Sequence, residues 1–201
     1  MRFIFKTSYA QDLRLAKHGG HLFWYGLLGL ALLAAPWFTP EYWLAQLTFV
    51  LIYAIVGLGL MLLAGYTGLF SLGHAAFLGV GAYTQAVLTG MGWPFLLSLA
   101  CAAGISAAVG VVVGLPAMRV KGIYLGMATL AFGFIVEEGF ARWESVTGGN
   151  SGKAVAMPEI FGVSLDSAMA FYFVCLAITV VCTLVILNLL RSPTGRAFVA
   201  I

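Results

Sequence analysis

The chain has 201 residues, of which 62% are hydrophobic and only 8% charged. A soluble globular domain carries about 25% charged residues, so the composition excludes a soluble domain and marks an integral membrane protein. A formal net charge of +3 is too small to draw nucleic acid.

Residues 1–21 are polar and basic, with Arg2, Lys6, Arg14 and Lys17 against Asp12. An apolar run follows from Leu22 to Phe38. A basic start before an apolar run also describes a signal peptide. Here the basic part is long and further apolar runs follow, which favours a retained first membrane helix. Pro36 and Pro40 bracket its end, and Trp37 suits an interface. The second run, Tyr42 to Ala64, is long enough to cross, since about 20 apolar residues span the hydrocarbon layer.

The next stretch, Gly65 to Gly81, reads GYTGLFSLGHAAFLGVG. It holds five glycines, no charge, and the polar residues Thr67, Ser71 and His74. Glycine and polar groups are costly in a lipid-embedded helix unless protein or water satisfies the backbone they expose. Two readings stand: a broken helix that lines a cavity or packs inside the bundle, as in transporters, or a tight turn between two spans. On the first reading Thr67, Ser71 and His74, with Thr84 further along, are the candidates to line a polar path.

A third run extends from Ala75 to Met91. Pro94 suits the first turn of a fourth helix reaching about Leu115. Within it, Gly110-Val-Val-Val-Gly114 has the small-xxx-small spacing that lets two helices approach closely, and is read as packing. Pro116 to Gly122 is a basic turn with Arg119 and Lys121. A fifth run, Ile123 to Ala141, holds Glu137 and Glu138 roughly 21 Å along the helix from its start. That depth leaves two roles open, facing headgroups or lining the outer mouth of a path. Residues 142–166 form a polar loop, and an uncharged sixth run covers Ser167 to Leu190. The expected fold is therefore an all-α polytopic bundle with about six transmembrane helices and a Gly-rich broken-helix segment.

Basic residues orient the spans. With the N-terminus in the cytoplasm and alternating crossings, Arg2, Lys6, Arg14, Lys17, Arg119, Lys121, Arg191 and Arg196 lie inside. Only Arg142 and Lys153 of the ten basic residues lie outside. Residues 1–21 are then a cytoplasmic segment and 142–166 an external loop.

No catalytic constellation is present, because His74 has no Ser/Asp or Cys partner near it in sequence. Gly148-Gly-Asn-Ser-Gly-Lys153 faintly resembles a phosphate loop. However, Thr147 stands where that motif needs Gly, Ala154 stands where it needs Ser or Thr, and no strand precedes it. The glycines suit a turning outer loop. Cys101, Cys175 and Cys182 lie in apolar runs without CxxC or Cys/His spacing, so neither a metal site nor a disulfide framework is indicated. No cofactor is implied.

The residues GYTGLFSLGHAAFLGVGAYT (65–84), Gly114-Leu-Pro-Ala-Met-Arg-Val-Lys-Gly-Ile-Tyr124, Thr129-Leu-Ala-Phe132, Thr147-Gly-Gly-Asn-Ser-Gly152 and Ser192-Pro-Thr-Gly-Arg-Ala-Phe-Val-Ala-Ile201 resemble the ABC-transporter permeases for branched-chain amino acids. More closely, they resemble the second of the two permease types that pair in those importers. The resemblance covers most of 57–201 in order and spacing. Gly133 and Phe134 depart from it, standing where the family usually has a polar or acidic residue. The family also continues past the Gly-Arg-Ala stretch into a cytoplasmic segment and further spans, so 22–201 looks like the N-terminal part of a permease domain. The resemblance implies a bacterial inner-membrane importer that binds no ATP itself. Its partners would be a second permease, cytoplasmic ATPases and an extracytoplasmic binding protein, and relatives carrying urea or short amides leave the substrate open. It also implies that Gly195 and Arg196 contact the ATPase or support its docking helix, where the residues alone allow a simple headgroup anchor. A self-standing channel or secondary transporter is the other class, and it would need intramembrane ionisable groups.

Overall fold

The structure is a computed structural model that describes residues 19–117, 119–120, 122–155, 159–160, 163–164, 167–193 and 195. Helix α1 covers Gly19–Phe38 and α2 covers Glu41–Leu60, continuing as a π-helical segment over Met61–Tyr66. Then come α3 (His74–Gly90), α4 (Phe95–Ala117) and α5 (Ile123–Arg142). A short α6 (Glu144–Thr147), a 3-10 turn (Gly149–Ser151), strands β1 (Glu159–Ile160) and β2 (Val163–Ser164) and a final α7 (Ala168–Arg191) complete the order. The fold is all-α and polytopic. Glu41–Tyr66, Phe95–Ala117, Ile123–Arg142 and Ala168–Arg191 are long and apolar enough to cross a membrane. The apolar part of α1, Phe23–Phe38, is shorter, and α3 has 17 residues. The polar segment expected at 1–21 lies outside the described residues up to 18.

Local chemistry sets the helix starts. Pro40 and Pro94 precede α2 and α4, and their carbonyls accept the first helical bonds from the Leu44 and Ser98 N–H groups, both at 3.0 Å. Proline suits such a position because its missing donor would have no intrahelical partner there. Gly122, at φ 61°, enters α5 in a conformation that disfavours a Cβ.

Contacts between helices fix their directions. Residues 44 and 51 of α2 pack beside 172–176 of α7, and the Thr179 hydroxyl reaches the Leu51 carbonyl at 3.5 Å, so α2 and α7 run parallel. Tyr172, fully buried, donates to the Leu32 carbonyl at 2.9 Å, and Trp37 meets Phe173, which ties the end of α1 to the start of α7. Gly73 meets Thr129 and Gly79 meets Phe140, so α3 and α5 are also parallel. Ser106 of α4 bonds the Phe77 carbonyl of α3, while Thr89 lies by Ser98, so α3 and α4 are antiparallel. Leu44, Leu51, Tyr172, Cys175 and Leu176 form the best-buried core. Most large apolar side chains elsewhere, among them Phe49, Val112, Ile135 and Val181, are exposed, as lipid-facing or partner-facing surfaces are.

The segment after α5 is more ordered than a plain polar loop. Thr147, 1% exposed, donates toward the Phe140 and Trp143 carbonyls at 2.6 and 2.8 Å and accepts from the Gly149 N–H at 3.2 Å. A Cβ at Gly148 would lie 2.3 Å from the Gly152 carbonyl oxygen. These glycines close a tight cap over the end of α5. Beyond it, Glu159 pairs with Ser164 and Ile160 with Val163 in a two-residue antiparallel ladder.

Candidate functional site

The Gly-rich stretch does more than join two helices. After the π-helical end of α2 the chain leaves helical form, turns through Gly68 at φ 67° and starts α3 at His74. That start is not level with the end of α2. The His74 imidazole packs on Gly59, whose Cβ, if present, would lie 3.1 Å from Nε2. Gly59 precedes Tyr66 by seven residues, about 10 Å of helix. Gly73 likewise meets α5 at Thr129, six residues, about 9 Å, past the start of α5. Two independent contacts thus set the first turn of α3 about 9–10 Å inward from the end of the π-helical segment and from the start of α5. Residues 67–73 run back into the bundle as a re-entrant segment.

Thr129 holds this segment. Its hydroxyl accepts the Leu72 N–H at 3.0 Å and donates to the Gly126 carbonyl at 2.9 Å. A backbone amide outside any helix is thereby satisfied. Within the segment, Thr67 donates to the Leu63 carbonyl at 2.6 Å, and the Leu69 N–H bonds the same carbonyl at 3.2 Å.

A cavity of about 460 Å³ opens beside the segment, within the roughly 300–1,000 Å³ range of small-molecule sites. It lies where α2 and α4 end and α3 and α5 begin. Leu62, Leu63 and Thr67 come from the end of α2, Val113 and Gly114 from the end of α4, and Leu125 and Thr129 from the start of α5. Ser71, His74 and Phe77 complete it from the re-entrant segment and α3. The walls are otherwise almost wholly apolar, and His74 is the one ionisable side chain among the described residues on them.

Thr67, Ser71 and His74 therefore border one cavity, and Thr84 does not: it sits ten residues up α3 from His74, about 15 Å away along the helix. Gly195 lies at the far end of α7, where its N–H meets Ser192 Oγ at 3.3 Å. Arg196 lies outside the described residues. Glu138 pairs with Arg142 at 2.5 Å on the exposed face of α5. Glu137 borders a second groove of about 320 Å³ between α3 and α5, beside Gly79 and Gly133. Neither acid touches the first cavity.

Two contributions were not read from the sequence. Thr129 lies in an apolar helical run, and its partner Leu72 is 57 residues away. The Gly110–Gly114 pattern, expected to pack helix on helix, meets Phe77 of α3 at Gly110, where a Cβ would lie 3.9 Å from its ring, and both glycines also border the cavity. A Cβ at Gly114 would meet nothing within 4 Å, so the missing side chains leave room for the cavity. The pattern carried the signal of missing volume, and only the bundle decides whether a neighbour fills it. Among the described residues no cluster of His, Cys, Asp or Glu could hold a metal ion, and the three cysteines are unpaired.

Residues 42–201 match the family described as branched-chain amino acid transport system / permease component. The chain is 35% identical over 181 residues to the high-affinity branched-chain amino acid transport system permease protein LivM of Salmonella typhimurium, covering 77% of this chain and 42% of that protein. It is 34% identical over 207 aligned positions to the protein of the same name from Escherichia coli, covering 90% of this chain and 48% of that protein. The chain thus spans less than half the length of these curated relatives. No solved structure matches significantly.

Proposed function

The chain belongs to the branched-chain amino acid transport permease family, and from that premise we propose that it builds part of the membrane pathway of an ATP-driven importer for branched-chain amino acids. The observation that carries this reading is the re-entrant segment 67–73. Irregular backbone at membrane depth is tolerated where it is buried in protein or lines a cavity, and here it borders one of substrate size. Thr67, Ser71 and His74 are the path-lining residues on this reading, whereas Thr84 belongs to a more distant part of the same helix.

The proposed setting is the bacterial inner membrane, with residues 1–21 in the cytoplasm and 22–201 within one transmembrane domain. Arg119 follows α4 and Arg191 is the last residue of α7, both helices that end on the cavity side of the bundle, so on the positive-inside rule the cavity lies in the cytoplasmic half. The proposed partners are a second permease, cytoplasmic ATPases near Gly195 and Arg196, and an external binding protein. On this reading the chain supplies a path, and the energy comes from a separate ATPase. The test is leucine uptake by cells that lack their own branched-chain transport and express the gene for this chain with its companion subunits. Uptake that requires both this gene and ATP hydrolysis supports the reading. Uptake that persists with an inactive ATPase, or that carries urea in preference to leucine, overturns it.

A further inference from the structure

Among the described residues five polar side chains border the cavity, and they are not equivalent. Thr67 donates to the Leu63 carbonyl, Ser106 to the Phe77 carbonyl at 3.2 Å, and Thr129 to Gly126 while accepting from Leu72. Those three hydroxyls serve the backbone. Ser71 and His74 have no hydrogen-bond partner among the described residues. Both are half-buried, in a cavity whose remaining walls are aliphatic or aromatic. A polar group withdrawn from water without a partner costs free energy, so these two are arranged for something that enters.

We propose that Ser71 and His74 together receive the carboxylate of an aliphatic amino acid, with its side chain against Leu62, Leu63, Val113 and Leu125. This rests on the permease reading and adds to it the end of the substrate that is recognised. The hydroxyl and one imidazole N–H are two donors, matching the two oxygens of one carboxylate. Among the described residues no Asp or Glu borders the cavity, so none of them singles out a cationic group. Gly59 makes room for the imidazole. The hydroxyls of Thr67 and Thr129 shape the cavity without taking part.

The experiment reports on the cavity directly. A single thiol is introduced as Gly114→Cys, where a Cβ meets nothing within 4 Å, in a chain with Cys101, Cys175 and Cys182 replaced by Ala and assembled with its companion subunits. The rate of maleimide alkylation is measured with L-leucine, with isocaproate, which lacks the ammonium group, and with leucinamide, which lacks the carboxylate. Leucine and isocaproate should slow alkylation, and leucinamide should not. His74→Leu and Ser71→Ala should each raise the half-protecting leucine concentration about tenfold, the loss of one charge-assisted hydrogen bond. His74→Gln, which keeps an N–H donor, should restore most of it. Protection by leucinamide equal to that by leucine, or unchanged protection in both His74→Leu and Ser71→Ala, overturns the assignment. So does a lack of protection by all three. Leucine uptake by the protein with native Gly114 separates the two claims: ATP-driven uptake without protection refutes the clamp alone, and its absence refutes the permease reading.

Discussion

Gly73 lies against the backbone of Thr129 so closely that a Cβ on residue 73 would sit 2.0 Å from the Thr129 carbonyl oxygen. The glycine is there for space. Its φ of −94° is open to any residue, so the constraint comes from the neighbouring helix and not from its own backbone. This contact seats the re-entrant segment on α5 and sets the depth at which α3 begins.

Gly73→Ala should therefore force the segment off α5. Overpacking against rigid backbone costs about 1–3 kcal/mol, a fall in Tm of about 2–4 °C for each kcal/mol in a chain of this size. Gly57→Ala is the control, because a Cβ there meets nothing within 4 Å, and it should leave Tm unchanged or raise it. Thermal unfolding in detergent is the measurement. Equal Tm values for the two variants would mean that α5 does not hold residue 73.

Thr129→Val keeps the shape of the side chain but leaves the Leu72 N–H without its acceptor. A stranded donor at this depth costs about 1–3 kcal/mol, whereas Thr129→Ser keeps the oxygen and should recover most of the loss. Hydrogen exchange at the Leu72 amide gives the local readout. Faster exchange in Thr129→Val but not in Thr129→Ser is expected, and equal protection in both would remove Thr129 as the anchor.

These two residues show what the sequence carried. Glycine density, absence of charge and three polar side chains mark 65–81 as a break, because those features are legible within one short window. The long helices are legible for the same reason, since apolar length alone predicts them. What holds the break is not local: Thr129 lies in an otherwise ordinary apolar run, and only the parallel packing of α3 and α5 brings it to Leu72. The cavity is non-local too. Part of it is the space left by Gly114 of α4, while Gly110 four residues earlier meets Phe77, and a small-residue pattern reads the same whether a helix fills that space or nothing does. The cap built on Thr147 is legible as a turn because its glycines sit together, while its buried hydroxyl is not, since a threonine shows no partner until the chain folds over it.

Orientation is tested at Asn150, exposed in the turn beyond α5. In a chain with the three native cysteines replaced by Ala, Asn150→Cys should react with a membrane-impermeant maleimide added to intact spheroplasts. Labelling only after the membrane is broken would invert the topology and move the cavity to the outer half.

The end of α7 separates packing from coupling. The Gly195 N–H reaches Ser192 Oγ at 3.3 Å, and a Cβ at residue 195 would lie 2.4 Å from the Leu189 carbonyl oxygen and 2.6 Å from that of Leu190. Only glycine lets the chain fold back on the last turn of the helix so tightly. Gly195→Ala should open that turn and lower both the amount of protein in the membrane and any ATP hydrolysis stimulated by substrate. Arg196 follows immediately and carries a planar guanidinium with five donors, whereas lysine offers the same charge as a compact point. An anchor at anionic headgroups needs only the charge, but a contact with an ATPase surface that uses the fork needs the geometry. Arg196→Lys should then leave the membrane level unchanged and reduce substrate-stimulated hydrolysis about tenfold, the equivalent of one lost charge-assisted hydrogen bond. Full stimulation with lysine at 196 would leave it as an anchor, with Gly195 acting only on the fold of the turn.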